Sequence, residues 1–114
     1  MTETPERVQP TEAGRERFDA VLDELKNELD VVDTFMLGMP SVKRRDGNAF
    51  AGLYGDDMVF RLEGLAHASA LALDGAHLFE PMVGQALDAW VQVPPTHETQ
   101  WVELARKAEA SLEI

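Results

Sequence analysis

Asn48-Ala49-Phe50-Ala51-Gly52-Leu53-Tyr54-Gly55-Asp56-Asp57-Met58-Val59-Phe60-Arg61-Leu62 reads as a β-hairpin, and the rest of the fold is built around it. Gly55-Asp56-Asp57 supplies the turn, flanked by aromatic and branched residues that favour strands. Along the first strand, alternation sends Phe50, Gly52 and Tyr54 to one face and Ala49, Ala51 and Leu53 to the other. The second strand sets Met58, Phe60 and Leu62 against Val59 and Arg61. Both faces therefore carry apolar side chains, and something must bury each of them.

Toward the amino end, Lys43-Arg44-Arg45-Asp46-Gly47 reads as a polar hairpin tip with an Asp-Gly turn, and Gly38-Met39-Pro40 as the turn closing a strand over 32–37. Phe18, Val21, Leu22, Leu25 and Leu29 recur at helical spacing, which predicts an amphipathic helix capped by Thr11 and ending at about Asp30. Residues 1–10, with Pro5 and Pro10, read as a mobile tail, and 11–114 as a single domain.

Toward the carboxyl end, Glu63–Leu73 is alanine-rich and helical in spacing, and stops at Asp74-Gly75. Two short strands follow, over 76–79 and 89–93, closed by Pro94-Pro95. Thr96 is positioned to cap a last helix whose stripe is Trp101, Leu104, Ala105, Ala108 and Leu112. Hairpins joined by a few helices predict an α+β domain of two layers: an antiparallel sheet of about five strands with the terminal helices packed on one face.

The segments Phe35-Met36-Leu37-Gly38-Met39-Pro40, Asp46-Gly47-Asn48-Ala49-Phe50-Ala51-Gly52-Leu53 and Met58-Val59-Phe60-Arg61-Leu62 resemble the TfoX/Sxy amino-terminal-domain-like family. The later Trp90-Val91-Gln92-Val93-Pro94 and the helix from Trp101 to Leu112 echo the same pattern, so the resemblance spans about residues 16–112. It departs at 35–38, which reads Phe-Met-Leu-Gly where Met-Phe-Gly is the family form. The resemblance implies a stand-alone module, similar to YjbR-like domains and secretion chaperones, with a regulatory or adaptor role, no catalytic residues and no cofactor.

Charge narrows the partners. With 21 acidic and 10 basic side chains the formal charge is −11, which repels phosphate backbones and speaks against direct nucleic-acid binding. Glu16, Asp19, Asp23 and Glu24 would line the outer side of the first helix. There is no cysteine and no apolar run of membrane-spanning length, so a cytoplasmic protein without membrane association is expected.

No nucleophile elbow surrounds Ser41, Ser69 or Ser111, and His67, His77 and His97 lack metal-binding spacing. The adjacent turn carboxylates Asp56 and Asp57 suit a turn better than a cation. The uncovered sheet face predicts contact with another protein or with a second copy, a symmetric homodimer being the simplest. The alternative is a small-molecule or anion sensor in which the loop 39–45, through Met39, Lys43, Arg44 and Arg45, binds a negative ligand with Tyr54 nearby.

Overall fold

In the computed structural model, which describes residues 9–82 and 84–113, Thr11 caps the first helix, α1 (Glu12–Glu28), its hydroxyl accepting from the Gly14 amide at 2.9 Å. The expected tail lies, up to residue 8, outside the described residues. Six strands follow in one antiparallel sheet: β1 (Val31–Met36), β2 (Met39–Arg44), β3 (Ala49–Tyr54), β4 (Asp57–Arg61), β5 (His77–Met82) and β6 (Gln85–Val93). Their order is β1-β2-β3-β4-β6-β5. Helices α2 (Gly64–Leu71) and α3 (Trp101–Ala110) complete the fold.

The α+β class and the central hairpin are as the sequence reading has them, with β3 and β4 paired from Ala51↔Phe60 to Tyr54↔Asp57. The helices share one side of the sheet. Phe18, Val21, Leu22 and Leu25 of α1 and Trp101, Leu104, Ala105 and Ala108 of α3 bury against Val42, Leu53, Phe60 and Val91. Full burial of each larger apolar side chain stabilises by about 1.5–3 kcal/mol, so this stripe-on-sheet contact dominates the fold.

Three expectations are corrected. The segment read as turn and loop at 39–45 is mostly strand: β2 pairs with β1 from Val31↔Arg44 to Met36↔Met39. Pro40 fits there because a two-residue turn makes Met36–Met39 a hydrogen-bonded pair. The missing donor at position 40 therefore falls on the β3 side, where pairing starts only at Ser41↔Gly52. Second, Phe50 does not join Gly52 and Tyr54. Val42 faces Ala51 and Lys43 faces Ala49, which leaves Phe50 as the extra residue of a β-bulge and turns it into the helix-side core. Third, Thr96 caps nothing. The prolines instead open a 3-10 turn, Pro95–Gln100, which kinks at His97 before α3 begins at Trp101.

The other face of the sheet is partly closed by the chain itself. Between Leu78↔Val91 and Phe79↔Leu87 the register jumps, so the far half of the β5–β6 hairpin leaves the line of the sheet. Phe79 then meets Tyr54 edge-on, ring centroids 4.9 Å apart, across the two intervening strands, a reach that a flat sheet would not allow. Met39, Val59 and Phe79 are buried there, with Met36, Tyr54, Leu87 and Trp90 around them.

Candidate functional site

The β1–β2 hairpin ends in a two-residue turn, Leu37-Gly38, with φ of 54° and 81°. Positive φ at both positions is the type I′ geometry that matches strand twist, and it favours Asn, Asp or Gly at the first position. A leucine there costs about 1–2 kcal/mol. Leu37 is nevertheless 60% exposed, and Phe35, two residues earlier on β1, is 72% exposed. Phe35 stands on the helix side of the sheet opposite Pro40, while Met36 reaches the opposite face.

The strand that carries them is an edge. Among the described residues β1 pairs only with β2. Alternation from the Met36–Met39 pair points the backbone groups of Thr34 and Val32 toward β2, and those of Phe35, Asp33 and Val31 outward. The Asp33 carboxyl lies below the usual carboxylate range, chiefly through its bond with Lys26 and in small part through its own amide. That ion pair, 2.6 Å long, ties the edge to α1. The other edge is blunted: β5 contains Pro81 and two register breaks.

The five residues read as a binding loop do not share one pocket. Met39 is buried on the face opposite the helices, and Tyr54 is half-buried beside it against Phe79. Lys43 lies on that same face, four register steps from Met39, and makes no ion pair among the described residues. Arg44 turns to the helix side and meets Glu109 of α3 at 3.0 Å. Arg45 bonds Asp30 at 2.9 Å, and its amide donates to the Asp30 carbonyl. A cavity of about 280 Å³ is lined by Asp30, Arg44, Arg45, Asp46 and Gly47. Two cations and two carboxylates line it, so an incoming anion would have to displace a carboxylate already in place.

The remaining candidates have structural partners. Asp56 accepts from Thr11 and Arg17, and Asp57 from Gln92. His67 and His97 face the carbonyls of Asp88 and Asp74 at 2.7 and 2.8 Å, so in each the Nε2 must donate. No cluster of three or more His, Asp or Glu with metal-binding geometry occurs among the described residues. None of their helices is long and apolar enough to cross a membrane.

Nothing in the sequence reading singles out Phe35 or Leu37 as surface residues. The signal was there in Leu37-Gly38 between aromatic and apolar neighbours, which is the spacing of a two-residue hairpin turn. Comparison with protein families, curated proteins and solved structures finds no match to this chain.

Proposed function

We propose that this chain is a non-enzymatic regulatory or adaptor module of the TfoX amino-terminal type, acting through protein contacts. The observation that carries the reading is the pairing of an edge strand free of proline and of register breaks with two large exposed apolar side chains, Phe35 and Leu37, at its end. An edge strand offers a ready-made row of backbone donors and acceptors, and exposed aromatic side chains are common anchors of interfaces. The strained turn adds to this, because the backbone cost at Leu37 yields no core burial in return. The anion-sensor reading has weaker support, since both arginines it relies on are held by carboxylates.

The test is a photo-crosslinking amino acid, p-benzoylphenylalanine, placed at position 35 of the full chain in living cells. Position 107 on the exposed side of α3 serves as the control. Discrete protein adducts are expected at 35 and absent at 107. Equal, diffuse labelling at the two sites would reject the reading.

A further inference from the structure

We propose that β1 pairs antiparallel with β1 of a second copy of this chain about a twofold axis through Thr34, making one continuous sheet. The proposal rests on the protein-contact reading and names its partner. The backbone groups of Asp33 and Phe35 point away from β2, so two copies related in this way exchange bonds at Asp33↔Phe35 and again at Phe35↔Asp33. Thr34 then faces Thr34 of the other copy as a non-hydrogen-bonded pair, with Cα atoms about 4.5 Å apart.

Side chains select this register over its neighbour. Centred on Asp33, the pairing would set two carboxylates against each other, both kept ionised by their Lys26 partners. Centred on Thr34, it sets Val32 against Met36, both half-buried and apolar, and extends the cluster around Met39 and Val59 across the seam. On the helix side, the exposed Phe35 ring is placed against the other copy's Asp33 and the stem of its Lys26. The strand is thus its own complement. A molecule of charge −11 also associates with itself most readily where few carboxylates meet, and β1 carries only Asp33. Because β5 is blunted, the same pairing cannot repeat from the other edge, and the assembly closes as a dimer.

The absence of cysteine makes the geometry directly readable. Thr34→Cys, oxidised in the full chain, is expected to form a covalent dimer at least about tenfold faster than Asp33→Cys or Leu65→Cys, since about 4.5 Å suits a disulfide. Wild-type protein is expected to sediment as a dimer. Phe35→Pro, which removes an outward amide and leaves the β1–β2 ladder whole, is expected to sediment as a monomer with unchanged circular dichroism. Crosslinking of Thr34→Cys no faster than that of Leu65→Cys would overturn the pairing. A wild-type monomer that still yields a foreign-protein adduct at position 35 would also overturn it while leaving the protein-contact reading in place; a monomer with no adduct would overturn both.

Discussion

Gly14 shows how one residue can carry opposite signs at two levels. In the first turn of α1 a glycine is about 1 kcal/mol poorer than alanine on helix propensity alone. Yet an added Cβ would lie 2.7 Å from the Gly55 carbonyl oxygen and 3.2 Å from the Asp56 Cα, both backbone atoms of the β3–β4 turn. Thr11 holds the same approach through its amide bond to the Gly55 carbonyl and its hydroxyl bond to Asp56. Gly14→Ala is therefore expected to destabilise by about 1–3 kcal/mol, the cost of overpacking, despite the better propensity. A urea midpoint equal to or above that of the wild type would show that the helix start can move aside.

At the scale of elements, the β5–β6 hairpin is where strand chemistry and sheet position part. Phe79 sits on an edge strand, yet it is fully buried because the hairpin's far half folds across the face behind Tyr54 and Val59. Phe79→Ala is expected to cost about 3–5 kcal/mol, the loss of a core aromatic, measured by chemical denaturation. A loss below about 1 kcal/mol would mean the fold-over does not persist in solution. Strands β3 and β4 and the two terminal helices were legible because alternation and the 3.6-residue stripe are local properties of the sequence. The bulge at Phe50 was not, because it depends on which β2 residue lies opposite, and β2 itself was hidden by Pro40 and by three consecutive basic residues. Of the candidate site, Tyr54 and Met39 do come near one another, whereas Arg44 and Arg45 depart because carboxylates distant in sequence, Glu109 and Asp30, claim them.

For the molecule as a whole, the acidic charge is offset locally at a few seams. Arg106 of α3 grips Glu28 at the end of α1 through two bonds of 2.7 and 2.6 Å and also reaches Glu103. This holds the Glu28 carboxyl below its ordinary 4.5. A depressed folded value stabilises above the unfolded value and is lost as pH falls through the folded one. The melting temperature of Glu28→Gln should thus lie slightly below that of the wild type at pH 7. The gap should start to close below pH 4.5 and be gone at lower pH. A gap unchanged from pH 7 to pH 2.5 would assign the difference to packing instead. The same seam joins the first helix to the last, and that has a consequence in time. A chain growing from its amino end completes all six strands at Val93, before Trp101, Leu104, Ala105 and Ala108 exist. Until these have cleared the exit tunnel, Phe60, Val91 and Val93 lack the helix that buries them. The sheet thus emerges ahead of part of its helix-side cover, and that interval is when a holdase chaperone has a surface to grasp.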